Sequence, residues 1–149
     1  VALMEPEAAG RLVSIMSDAA LDVTIKADEP TMKQIALNLL SNAIKHSRPG
    51  GVVLICCDVL ADGRVALGVK DTGSGMTSEE RQRALEQSNQ SVDVYTVEGR
   101  IAGMGLPIVK GLIEAHQGRL CIESSHGVGA KVWVEFPPER LLRKSVAAA

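Results

Sequence analysis

Two carboxamides, Asn38 and Asn42, stand one helical turn apart, with Lys45 a turn further on, in the stretch Asn38-Leu39-Leu40-Ser41-Asn42-Ala43-Ile44-Lys45. A carboxamide oxygen is a hard, neutral ligand that suits magnesium without adding negative charge beside phosphates. A lysine ammonium meets a phosphate as a point charge. Further along, Asp71 precedes two glycines in Asp71-Thr72-Gly73-Ser74-Gly75-Met76. A carboxylate there can accept a hydrogen bond from an exocyclic amine, which would select adenine over guanine, while glycines let the backbone approach a ligand closely. Gly103-Met104-Gly105 then leads into Leu106-Pro107-Ile108-Val109-Lys110, a helix start whose first amides lack intrahelical partners and attract anions. In this order the three segments are suited to a magnesium triphosphate and a purine. Each alone has a plainer reading: a polar helix face, a simple turn or a flexible hinge. No GxxxxGK[ST] occurs, so the chain is not a P-loop protein.

The elements that must position these residues follow from periodicity. Asp28 or Glu29 can cap a helix with Pro30 in its first turn, running to about His46. Ile35, Ala36, Leu39, Leu40, Ala43 and Ile44 form its apolar side, and Gln34, Asn38, Ser41, Asn42 and Lys45 a polar stripe. Gly51 to Cys57 and Arg64 to Lys70 read as strands joined at Ala61-Asp62-Gly63. Ser78 is the expected cap of a short helix. Gln87 to Arg100 reads as a mobile connector. Gly105 to His116 reads as a helix ended by Gln117-Gly118, followed by strands Leu120 to Ser124 and Lys131 to Phe136. Upstream, Val1 to Met4 is expected as an edge strand and Pro6 as the start of a helix burying Leu12, Ile15, Met16 and Ala19. Leu21 to Ala27 alternates as a strand. Pro137-Pro138 is expected to end the ordered fold at about residue 138, with 139–149 a frayed tail. The expected class is α+β: a two-layer sandwich with a mixed, mostly antiparallel sheet of about five strands and about three helices on one face.

Bulk composition bounds the function. The chain has 149 residues, 46% of them hydrophobic, which fits one domain with a real core. Its net charge of −2, with both signs interspersed, points away from nucleic acid and from direct membrane contact. No apolar run approaches the roughly 20 residues needed to span a bilayer. No signal peptide is evident, and Val1 is expected in a structured segment, as in a cytoplasmic domain cut from a longer protein, with membrane anchoring of the parent left open. Cys56, Cys57 and Cys121 lack CxxC spacing and read as buried thiols rather than a disulfide framework or zinc site.

With its three segments in this order, essentially the whole chain resembles the catalytic ATP-binding domain of bacterial sensor histidine kinases, in the Bergerat-fold family shared with gyrase and mismatch-repair ATPases. NLLSNAIK is similar to that family's asparagine box, DTGSGM to its first glycine box, and GMGLPIVKGLIEAHQG with GVGAKVWVEFP to its second glycine box and closing hairpin. The resemblance implies that ATP and Mg2+ are the cofactors and that Asn42 is the magnesium-binding amide. Asn38 would assist at the phosphates beside Lys45, and Asp71 would hold the adenine amine. Gly73, Gly75, Met76 and His46 would shape the base site, and Gly103, Met104, Gly105 and Leu106 the triphosphate site. Family members pass the γ-phosphoryl group to a histidine on a separate dimerisation domain, and a response regulator acts downstream. ATP-hydrolysing relatives carry a water-activating Glu at the position of Asn38. An amide cannot take that proton, which favours transfer to a protein acceptor.

The departures cluster around the lid. None of His46, His116 and His126 sits in a phosphoacceptor context, so the acceptor must lie elsewhere in the full protein or on a partner. Ser88 takes a position where many kinases carry Phe, Ile101 replaces a leading glycine, and Met104 replaces a leucine. Two alternatives therefore stay open: a degenerate domain that binds nucleotide weakly or not at all and acts as a regulatory interaction module, and an anti-sigma-type serine kinase.

Overall fold

The computed structural model describes residues 2–18, 21–86 and 105–146. Five strands form the main sheet: β1 (Ser14–Asp18), β3 (Val52–Val59), β4 (Val65–Asp71), β6 (Gly129–Phe136) and β5 (Arg119–Ser125), in that spatial order. The β1–β3 pair is parallel and the other three pairs are antiparallel. Helices α1 (Glu5–Gly10), α2 (Glu29–His46), α3 (Ser78–Glu86) and α4 (Gly105–Glu114) complete the α+β sandwich. A separate ribbon pairs β2 (Leu21–Ile25) with β7 (Leu141–Val146). Among the described residues no helix is long and apolar enough to cross a membrane.

Helix α2 carries most of the functional stripe, and local chemistry fixes its ends. The Asp28 carboxylate accepts from the Thr31 amide at 3.0 Å, and Pro30 lies in the first turn, where its missing N–H costs no helical bond. Lys45 and His46 occupy the last turn, where cations complement the helix dipole. The buried face of α2 (Ile35, Leu39, Leu40, Ala43 and Ile44) meets Val109 and Ile113 of α4 and Val53, Val65, Val69, Val132, Val134 and Phe136 of the sheet. Each such apolar side chain contributes about 1.5–3 kcal/mol on burial.

Strand alternation gives the sheet two unlike faces. On β6, Val132, Val134 and Phe136 are buried with the core, while Trp133 and Glu135 alternate with them. Glu135 is only 5% exposed. It accepts from Arg64, from Arg119 Nε at 2.8 Å and from Trp133 Nε1 at 3.0 Å, and Lys131 Nζ stands 4.9 Å from the Trp133 ring centre. Burial pushes the Glu135 carboxyl up, but these donors outweigh it and hold it below the usual glutamate range. Cys56, Cys57 and Cys121 are free thiols, and burial pushes Cys57 and Cys121 up, away from reactivity.

Four expectations are corrected. Ala2–Met4 is a 3-10 turn rather than an edge strand, because Met4 is drawn into the core at 7% exposure. The first helix stops at Gly10, and Leu12 follows at φ +56°. Residues 14–18 then alternate as a strand, so Leu12 and Met16 are 71% and 57% exposed instead of forming a buried stripe. Helix α3 is capped by Thr77, not Ser78: the Glu80 amide donates to Thr77 Oγ1 and the Thr77 amide to Glu80 Oε2 at 2.8 Å, a capping box.

The fourth correction concerns the C-terminal segment. Pro137 and Pro138 do not end the ordered fold; a turn at Pro138–Arg140 redirects the chain into β7. The register runs from Leu21 opposite Val146 to Ile25 opposite Leu141. The Arg140 guanidinium binds the carbonyls of His116 and Lys26, both at 2.8 Å, and Gln117 Oε1 at 2.6 Å. Residues 138–146 are therefore a turn and a strand rather than a tail. The proposed connector, Gln87 to Arg100, lies outside the described residues.

Candidate functional site

Asn42 and His46 of α2 face a hollow between α2, the loop after β4 and the start of α4. This cavity, of about 250 Å³, is lined by Asn42, His46, Ser74, Gly75, Met76, Glu80, Gly105, Leu106 and Pro107. A recess of about 10 Å³ shares Asn42, His46, Gly75 and Met76 with it and is closed by Asp71 and Ala130. The carboxylate of β4 and the carboxamide of α2 thus meet at this recess, from opposite layers of the sandwich.

Asp71 ends β4 opposite Ala130 and is 5% exposed. Its Oδ1 accepts from the Gly73 amide at 2.8 Å. Burial raises its carboxyl above the usual aspartate value, opposed by hydrogen bonds from the Gly73 and Ala130 amides and by the charge of His46. A desolvated carboxylate aimed into a cleft is a group held ready for a donor.

The glycines are required by contact as well as by backbone angle. A Cβ on Gly73 would stand 2.1 Å from the His46 carbonyl oxygen, and one on Gly75 2.2 Å from that of Ser125, where Gly75 also turns at φ +68°. The loop from Asp71 to Met76 consequently lies flat between the end of α2 and the β5–β6 hairpin.

At the other end, Asn38 is half-buried beside Gly105, whose added Cβ would reach the Asn38 backbone oxygen at 3.7 Å. Gln34 Nε2 donates to Asn38 Oδ1 at 3.1 Å, which turns the Asn38 amino group away. That nitrogen, Nδ2, is buried with no hydrogen-bond partner. An unpaired buried donor is costly, and a hydrogen-bond acceptor is the partner its chemistry calls for. Helix α4 begins at Gly105, directing its first amides to the same end of the hollow.

Of the residues expected from sequence, Asn42, His46, Gly75, Met76, Gly105 and Leu106 line the cavity, Asp71 closes the recess, and Gly73 and Asn38 sit immediately behind its walls. Lys45 is exposed and does not line it; His46, a full turn beyond Asn42, takes the wall position instead. Gly103 and Met104 lie outside the described residues, as do Ser88 and Ile101. Sequence reasoning missed Ser74, Glu80, Pro107 and Ala130 as lining residues. The Thr77-x-x-Glu80 spacing was a usable signal for Glu80, because it places the cap and the carboxylate together at the start of α3. His116 does not line the cavity and ties two elements together: its Nδ1 lies 3.0 Å from the Leu112 carbonyl and its Nε2 accepts from the Asp28 amide at 3.3 Å.

Comparison with known proteins gives the chain a family and its fold solved counterparts. The family model described as "Histidine kinase-, DNA gyrase B-, and HSP90-like ATPase" matches residues 27–140. The cell-division control histidine kinase PdhS of Brucella canis is 38% identical over 154 aligned residues, covering 95% of this chain. The chain spans about 15% of the length of that relative. The crystal structure of full-length ShkA in complex with AMPPNP superposes with a TM-score of 0.74 at 34% identity, covering 99% of this chain and 29% of that one. The mycobacterial sensor histidine kinase MprB superposes at 0.68 with 25% identity, covering 89% of each chain.

Proposed function

Since the chain belongs to the histidine kinase-, DNA gyrase B- and HSP90-like ATPase family, we propose that it is the ATP-binding catalytic domain of a two-component sensor histidine kinase. Its reaction is transfer of the ATP γ-phosphoryl group to a histidine on a separate dimerisation domain, with a response regulator as the later acceptor. The observation that carries this reading is the convergence of Asp71 and Asn42 on one hollow.

In this assignment the Asp71 carboxylate accepts from the adenine amine, and the Gly73–Gly75 backbone lets the base lie against the loop. The Asn38 amino group and the first amides of α4 donate to phosphate oxygens. Asn42 is the protein group that would hold magnesium. The substrate phosphates and water would complete the coordination of an ion held through that one protein ligand. Magnesium in such a site supplies charge neutralisation to the triphosphate. Neither Asn38 nor Asn42 takes a proton near neutral pH, so the stripe offers no base to activate water, and a histidine nucleophile from another domain needs none from this one.

Titration with a fluorescent ATP analogue, with and without magnesium, tests the reading. Wild type binds and Asp71→Asn loses at least tenfold in affinity. Equal affinity in the variant removes the adenine assignment. No binding by wild type at millimolar nucleotide leaves the degenerate interaction module, which the sequence departures at Ser88 and Ile101 favour. Mixing with a histidine-bearing helical domain and γ-labelled ATP then reads transfer directly.

A further inference from the structure

Resting on the nucleotide reading of this hollow, we propose that Ser124 of β5 is a positioning residue of the site, fixing the base-binding loop through its hydroxyl. The hydroxyl ties Met76, which lines the recess, to Gly129, the neighbour of the lining residue Ala130. It accepts from the Met76 amide at 2.7 Å and donates to the Gly129 carbonyl at 3.2 Å. Met76 lines the cavity and the recess. Gly129 is packed on the strand end that carries the base-recognition carboxylate: a Cβ there would stand 2.2 Å from the Asp71 carbonyl oxygen.

The loop needs such an anchor. Gly75 has no side chain with which to hold itself, and its φ of +68° is a conformation the loop must be kept in. Two further ties come from the backbone. The Gly127 amide donates to the Ser74 carbonyl at 2.6 Å, and the Ser74 amide to the His46 carbonyl at 3.4 Å. Ser124 supplies a side-chain tie beyond Gly75, on the side of Met76 and α3. Loss of its hydroxyl leaves the Met76 amide without this half-buried acceptor and unpins the recess wall from Gly129. Ser124 touches neither base nor phosphate in this scheme; it acts through Met76.

Ser124→Ala and Ser124→Thr, with wild type, are titrated with ATP and with GTP in the presence of magnesium, and amide hydrogen exchange is followed at Met76 without nucleotide. The expected result is a roughly tenfold weaker Kd for ATP in Ser124→Ala, a smaller loss for GTP, faster exchange at Met76, and recovery of all three in Ser124→Thr. An unchanged ATP Kd in folded Ser124→Ala overturns the proposal and leaves the site reading intact. If wild type itself binds no ATP, the site reading falls, and exchange at Met76 still decides the tether: equal exchange in wild type and Ser124→Ala overturns it. Should Ser124→Ala fail to fold, Ser124→Cys, a weaker acceptor of nearly the same volume, takes its place with the same readouts.

Discussion

Asp71 and Glu135 are both acidic, both strand residues of one sheet and both 5% exposed, yet they are expected to shift stability in opposite directions. Burial raises the Asp71 carboxyl above its ordinary 3.8. The folded chain therefore binds that proton more tightly than the unfolded chain, and the ionised form costs stability as pH climbs from 3.8 through the folded value. In the absence of nucleotide, Asp71→Asn is expected to gain stability relative to wild type at pH 7, and to lose that gain below about pH 4. Glu135 is held below its ordinary 4.5 despite burial, by Trp133, Arg119 and Arg64. Its stabilisation is present above 4.5 and lost as pH falls through the folded value. Glu135→Gln should thus be less stable than wild type at pH 7, with the gap closing on acidification. Urea unfolding of both variants at pH 7 and pH 4 checks the two signs. Gly73 makes a third prediction: Gly73→Ala places a methyl against the His46 carbonyl and should cost about 1–3 kcal/mol as overpacking, read in the same unfolding curves.

Two helices carry the site, and at the level of elements their relative placement is set far from it. The exit of α4 is bound to the entry of α2 through His116, and Arg140 from the C-terminal segment joins both. Arg140→Ala removes three side-chain bonds and should lower stability by roughly 1–3 kcal/mol. Removal of residues 139–149 should lower it further and speed amide exchange at Lys26, whose amide donates to the Arg140 carbonyl at 2.7 Å. Hydrogen exchange on the truncated chain checks this, and unchanged protection at Lys26 would refute it. Helix α2 was legible from sequence because its cap, proline and periodicity agree from Asp28 to His46. Strand β7 was not, because a Pro-Pro pair reads as an end when viewed alone. Only the partner strand, more than a hundred residues earlier in the chain, makes Leu141–Val146 a strand.

Across the whole molecule, the sandwich could be read from periodicity, and the motifs that carry Asn42, Asp71 and Gly75 could be read from residue types before the structure brought them to one recess. What could not be read was supplied by tertiary contact. Lys45 and His46 are adjacent in sequence, and only the packed position of α2 decides that the imidazole faces the hollow while the ammonium faces water. Ser124 and Ala130 lie in ordinary strand patterns, and the Ser124 bond to Met76 and the Ala130 wall of the recess appear only once β5 and β6 fold over the loop after β4. The parallel β1–β3 pair was hidden for the same reason: its strands are separated by β2 and α2, and local periodicity around Leu12 to Asp18 was compatible with a helix.

Trp133 is the chain's single tryptophan, and it lies among Lys131, Glu135 and Arg119, outside the lining of both hollows. Its indole emission should redshift when the sheet melts and stay silent when ligand is added. Intrinsic fluorescence is accordingly a clean gauge of foldedness here and a blind one for occupancy, so saturation needs an extrinsic dye or calorimetry.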